Sequence, residues 1–145
     1  MRGQHGFTLL ETLLSIAALS IIAGISIPLY QSFQVRNDVD IAAVTITQSL
    51  RRAQVLARAS SGDARWGVAI TTSSITLYRG ASYAGRDTSY DEMFDLPASI
   101  TPSGLTEVTF TKFTGLPGGI GTTTLTSNTG EVRTISLNEQ GTVSY

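Results

Sequence analysis

The sequence predicts an α+β chain: one long N-terminal helix, membrane-spanning in its first half, packed on an antiparallel β-sheet or small β-sandwich. Three observations predict it. Residues 12–35 carry no charge and are dominated by Leu, Ile and Ala. Val39, Ala43, Ile46, Leu50, Ala53 and Ala57 then recur at alternating spacings of four and three, which draws one apolar stripe along a helix. After Gly62 the pattern breaks into short, Thr-rich, β-prone runs separated by turn residues.

The apolar run is long enough to cross a bilayer, since about 20 predominantly apolar residues span a hydrocarbon core roughly 30 Å thick. It is too long for a secretory signal, and 27–30 (Ile-Pro-Leu-Tyr) offers no small-residue cleavage site. The amphipathic half continues the helix to about Ala59, where Ser60-Ser61-Gly62-Asp63 supplies a stop. Arg51, Gln54 and Arg58 fall on a different face from the apolar stripe. Strands are predicted at 66–70, 75–78, 108–113, 122–126, 132–137 and 142–145. Asn128-Thr129-Gly130 and 138–141 (Asn-Glu-Gln-Gly) read as hairpin turns between the last three. Residues 83–90 and 115–119 read as loops.

Composition narrows the function classes. The 145 residues hold 10 basic and 11 acidic side chains, so no overall field draws the chain to nucleic acid or an anionic membrane. Cysteine is absent, and the single histidine is His5. If the first six residues are removed, neither residue type remains, which argues against hydrolase triads, thiolate chemistry and most transition-metal sites. The expectation is a non-enzyme without a cofactor.

Ahead of the apolar run stands Met1-Arg2-Gly3-Gln4-His5-Gly6, followed by Phe7-Thr8-Leu9-Leu10-Glu11. This resembles the leader of type IV prepilins and type II secretion pseudopilins: a short basic leader ending in Gly, then Phe, then a carboxylate four residues on within an apolar helix. The resemblance implies three parts: a leader at 1–6, a transmembrane N-terminal helix at 7–35, and a pilin-like head at 36–145. The head divides into an amphipathic helical half (36–61) and a β-rich part (62–145). It also implies cleavage by a prepilin peptidase between Gly6 and Phe7 and N-methylation of Phe7.

Glu11 lies only about 6 Å along a helix from Phe7, so a carboxylate wetted at the headgroup level is its plainest reading. The resemblance instead implies a pairing of Glu11 with the N-terminal ammonium of a neighbouring subunit's Phe7, which links processing to assembly. Gly24 and Pro28 are placed to kink or locally melt the helix, because proline removes a backbone donor and crowds the preceding turn.

The order of long helix, early Trp66-Gly67-Val68 strand, central variable loop and late strands near Gly141-Thr142-Val143 resembles the GspH/FimT type of minor pseudopilin. The implied role is a structural, minor-type subunit of a type IV pilus or type II secretion pseudopilus. Its partners would be sister subunits, the peptidase, an inner-membrane assembly platform and, before assembly, membrane lipid. It would cross the bacterial inner membrane once with its leader cytoplasmic and its head outside, then enter an extracytoplasmic filament. The alternative is a filament-tip module that captures DNA or a secreted substrate. DNA is the less favoured partner, because near the C-terminus only Arg133 is basic, and Arg51, Arg52, Arg58 and Arg65 read as a solvated helix face or subunit contact. Asp87, Asp91, Glu92 and Asp95 form an acidic cluster that could be imagined around calcium, but without EF-hand spacing.

Overall fold

The computed structural model describes residues 7–145, with the side chains of residues 25–29, 31 and 32 outside the description. Helix α1 (Leu9–Arg58) is 50 residues long. Thr8 is its N-cap. The Thr8 carbonyl accepts the Thr12 N–H at 3.2 Å, and the Thr8 hydroxyl accepts the Glu11 N–H at 3.3 Å. Thr8-x-x-Glu11 has the spacing of a capping box, and the Glu11 carboxylate sits in the first turn, where the helix dipole favours a negative charge. Gly24 and Pro28 lie within this helix.

The chain forms two compact units, one ending at Gln34 and the other comprising Val35–Tyr145. In the first, every residue from Phe7 to Gly24 is exposed. Its hydroxyls fold back on the helix: Thr12 donates to the Leu9 carbonyl at 2.8 Å, Ser15 to Glu11 at 2.7 Å and Ser20 to Ile16 at 2.8 Å. Each of these three hydroxyls is thereby satisfied without water. Among the described residues no helix is long and apolar enough to cross a membrane. The span predicted over 7–35 includes the positions whose side chains lie outside the description.

In the second unit the predicted stripe is the buried one: Val39, Ala43, Ile46, Leu50, Ala53 and Ala57 are all at most 3 % exposed. They pack on two antiparallel sheets. Strands β1 (Trp66–Ile70), β2 (Ser74–Arg79), β3 (Asp87–Asp95) and β5 (Glu107–Phe110) form one, in the order β3-β2-β1-β5. Strands β4 (Ile100–Gly104), β6 (Gly121–Ser127), β7 (Val132–Leu137) and β8 (Val143–Ser144) form the other, in the order β4-β6-β7-β8. Side chains from the helix and both sheets merge into one apolar cluster, including Ile46, Leu77, Phe110, Leu125 and Ile135. The small residues Ala43, Ala53 and Ala57 give the backbones room to approach, while larger β-strand side chains fill the space between.

Two polar seams fix how this part of the helix meets the strands. Arg36 Nε donates to Glu131 at 2.7 Å, and Arg133 Nε to Asp40 at 2.7 Å. One helical turn advances about 6 Å over four residues, and two strand residues advance about 6.6 Å. Opposite charges at i and i+4 on α1 therefore match the reversed pair two positions apart at the start of β7. Further along, the face carrying Arg51, Gln54 and Arg58 bonds to backbone carbonyls. Gln54 Nε2 reaches Gly115 at 3.1 Å and Gln140 at 3.0 Å, Arg58 reaches Thr114 at 3.3 Å, and Arg51 reaches Val143 at 3.4 Å. Gly141 is needed beneath Gln54: its φ is 78°, and a Cβ there would lie 2.1 Å from Gln54 Nε2.

The structure corrects the strand reading in three places. The segment 83–90, read as a loop, already enters β3 at Asp87. Strand β4 was not expected, because Ile-Thr-Pro-Ser-Gly combines a proline and a glycine; it survives as an edge strand paired on one side with β6. The run predicted at 108–113 stops at Phe110, since residues 111–116 turn back and Phe113 adopts a φ of 69° while its N–H caps the Ala57 carbonyl of α1 at 3.0 Å. The 128–130 turn has the expected form, with Gly130 at φ 88° donating to the Ser127 carbonyl at 3.1 Å.

Candidate functional site

The N-terminal turn of α1 brings together Phe7, Thr8 and Glu11. The bond expected to be cut joins Phe7 to Gly6, which lies outside the described residues together with Arg2 and His5. Phe7 is 81 % exposed, and the large apolar residues that follow it, from Leu9 to Ile22, are 57–79 % exposed. These residues form an exposed apolar surface. Fully burying one Leu, Ile or Phe side chain contributes about 1.5–3 kcal/mol, so covering this row is strongly favourable. Thr8 was not singled out from the sequence as a structural residue. The signal that could have found it is the Thr-x-x-Glu spacing directly before an apolar run.

The basic cluster predicted at the helix end does not form one patch. Arg52 pairs with Glu92 on β3 at 2.6 Å, while Arg51 and Arg58 bond to carbonyls on the other flank of the helix. Arg65 lies on the far side of the β3-β2-β1-β5 sheet, lining a hollow of about 440 Å³ with Glu107, Thr109, Thr111, Gly118 and Gly119. The one carboxylate of that hollow is engaged, since Glu107 Oε1 accepts the Tyr78 hydroxyl at 3.0 Å and the Tyr83 N–H at 2.8 Å. Trp66 is core, as expected; it is 6 % exposed and donates its indole N–H to the Ser61 carbonyl at 2.9 Å.

The acidic cluster is likewise divided. Successive strand side chains point to opposite faces. Glu92 therefore lies on the α1 side with Arg52, and Asp91 lies on the other with Arg86, whose Nε donates to it at 2.7 Å. Arg86 also stacks over the Tyr83 ring at 3.8 Å and donates to the Tyr83 carbonyl at 2.8 Å. The hydrogen bond from Asp91 raises the Arg86 pKa further above its already high ordinary value. Asp63, fully in solvent, is held below its ordinary value by its hydrogen bond and charge pairing with Lys112. Among the described residues no three His, Cys, Asp or Glu side chains are placed to hold a metal ion.

Tyr78 is a titratable side chain held in the core of the head. Its residue is buried, and its hydroxyl lies 2.8 Å from Thr109 Oγ1 and 3.0 Å from Glu107. Burial pushes the phenol up to about 12, and the hydrogen bond and charge of Glu107 add to this against the opposing effect of Thr109. The ring lies over Gly67, where a Cβ would meet the Tyr78 ring and hydroxyl at 2.6 Å. The glycine of the Trp66-Gly67-Val68 strand is thus required by close packing.

A family model described as the prokaryotic N-terminal methylation motif matches residues 1–27. Two curated proteins, each named fimbrial protein and both from Pseudomonas aeruginosa, are 28 % identical to the chain over 112 residues, covering 71 % of this chain and 72 % of each relative. No solved structure matches the chain significantly.

Proposed function

We propose that the chain is a member of the type IV pilin superfamily, a reading that its methylation motif, fimbrial relatives and long-helix α+β fold support, and that it is a filament subunit processed at Gly6–Phe7. The observation that carries this is the uncovered apolar helix from Phe7 to Gly24, whose hydroxyls are satisfied within the helix. Such a surface suits lipid before assembly and a bundle of like helices afterwards. The role is structural, not catalytic.

A prepilin peptidase removes residues 1–6, Phe7 is methylated, and its ammonium becomes the partner of Glu11 on a neighbouring subunit. The capping contact at Thr8 holds the first turn that presents this carboxylate. Before assembly the helix over 7–35 anchors the chain in the inner membrane with its leader cytoplasmic; afterwards the head, 36–145, lies outside on the filament. Head-to-tail contacts that do not close give such a fibre. Gly24 and Pro28 supply the place where the helix bends or opens on assembly. The resemblance of the sequence to the GspH/FimT layout supports a minor subunit of a type IV pilus or type II secretion pseudopilus, delivered through an inner-membrane assembly platform.

Intact mass of membrane-extracted protein from a host with an active prepilin peptidase tests the first step. The expected chain begins at a methylated Phe7; a chain still beginning at Met1 refutes it. For the second step, Glu11→Ala should insert normally and be depleted in the sheared-fibre fraction, and normal incorporation would remove Glu11 from assembly.

A further inference from the structure

The two sheets end in four edge strands, and three are closed to a further strand. β4 carries Pro102, which cannot donate to a ladder. β5 is bridged from Phe110 to Pro117, and Gly118 N–H donates to the Thr109 carbonyl at 2.7 Å. β8 is two residues long. β3 is different: nine residues, no proline, and no backbone partner beyond β2 among the described residues. Natural sheets blunt their edges, and an open, long edge is a ready template for another chain.

Beside this edge runs one flank of α1. Ile41, Thr45, Gln48 and Arg52, spaced by four, three and four, lie on one face of the helix. The last three line a cavity of about 100 Å³ with Glu92 and Phe94 of β3, enough room for one aliphatic side chain. Its apolar lining is Leu77 and Phe94, the latter 40 % exposed, while Met93 points to the opposite face of β3. The edge therefore offers both an unfilled backbone ladder and a small seat for one side chain, the two parts of strand-addition recognition.

Charge selects the occupant. Of the four carboxylates on β3, Asp91 and Glu92 are paired with Arg86 and Arg52, while Asp87 and Asp95, at its two ends, form no ion pair among the described residues. A second copy of β3, paired antiparallel about Asp91, would set Asp87 against Asp95 twice, and like charges directly opposite are destabilising. We propose that the β3 edge of the head is a docking site for an extended segment of a partner protein that carries a cation towards each end and apolar side chains between. The segment extends the β3-β2-β1-β5 sheet and seats one apolar side chain between β3 and α1.

The test uses the full chain in neutral detergent and two synthetic nine-residue peptides of alternating Val and Thr, one ended by Lys on both sides and the other by Glu. Fluorescence anisotropy reads affinity, and hydrogen exchange reads which amides are protected. Expected are protection confined to β3 and roughly tenfold weaker binding of the Glu-ended peptide, as two exposed charge pairs allow. The double variant Asp87→Lys, Asp95→Lys, whose folding far-UV circular dichroism confirms, should reverse the preference. Equal binding of both peptides, protection elsewhere or nowhere, or self-association of the chain through β3 would overturn the proposal. These outcomes are independent of processing at Gly6–Phe7.

Discussion

Replacing Tyr78 by Phe removes one oxygen from the core of the head and should abolish that residue's share of the stability lost at alkaline pH. At neutral pH the hydroxyl makes hydrogen bonds to Glu107 and Thr109, and losing them should cost about 1 kcal/mol. The pH dependence follows from the raised pKa of the phenol. In the folded protein the phenol keeps its proton to about 12, whereas an ordinary tyrosine loses it at 10.0. Between those values the unfolded chain binds fewer protons than the native one, so stability falls as pH rises. The contribution is intact below about pH 10 and is then lost at up to roughly 1.4 kcal/mol per unit, a loss of about 2 kcal/mol by pH 12. The variant lacks this decline. It should be less stable than the parent at pH 8 and more stable above about pH 11, with the curves crossing between. Urea unfolding of both proteins in the same detergent at half-unit steps from pH 8 to 11.5 measures it. The remaining tyrosines and Lys112 titrate in both chains and cancel in the difference. Parallel curves that never approach each other would refute the argument that burial controls this phenol.

Ile46→Ala, at a fully buried position on the helix stripe, should destabilise the head by about 2–5 kcal/mol, read as a lower urea midpoint with an unchanged slope. Arg36→Glu sets two carboxylates together at a largely exposed pair and should cost no more than about 1 kcal/mol, recovered by adding Glu131→Arg; a larger loss or no recovery would count against the matched seam. A chain beginning at Arg36 should be soluble and show β-sheet circular dichroism, since Val35–Tyr145 is a compact unit with its own core; aggregation without a β signal would show that the head depends on the preceding helix.

The helix and its buried stripe were legible because a helix's period is local: the four-three spacing of Val39 to Ala57 needs no knowledge of what lies opposite. The same holds for the turns at 128–130 and 138–141, where glycine and asparagine declare backbone conformation directly. The expected leader and the expected role of Glu11 rest likewise on contiguous chemistry, and that reading directed attention to Phe7 and Glu11 while leaving Thr8 between them unremarked as the cap. Strands β3 and β4 were less legible. A charged run such as Asp87–Asp95 and a proline-bearing run such as Ile100–Gly104 become strands because neighbours in space, β2 and β6, hold their backbones.

What the sequence determined by itself was therefore the periodic and the contiguous: an apolar helix, its amphipathic continuation, and a β-rich remainder. Tertiary structure decided how charges group. It split Arg51, Arg52, Arg58 and Arg65 among three surroundings and set Asp91 and Glu92 on opposite faces of one strand, because side-chain direction alternates along a strand and turns by about 100° per residue on a helix. It also buried Tyr78 over Gly67 and left β3 as the one long open edge, since burial and edge position depend on strand order, which residues far apart in the chain establish only when they pack.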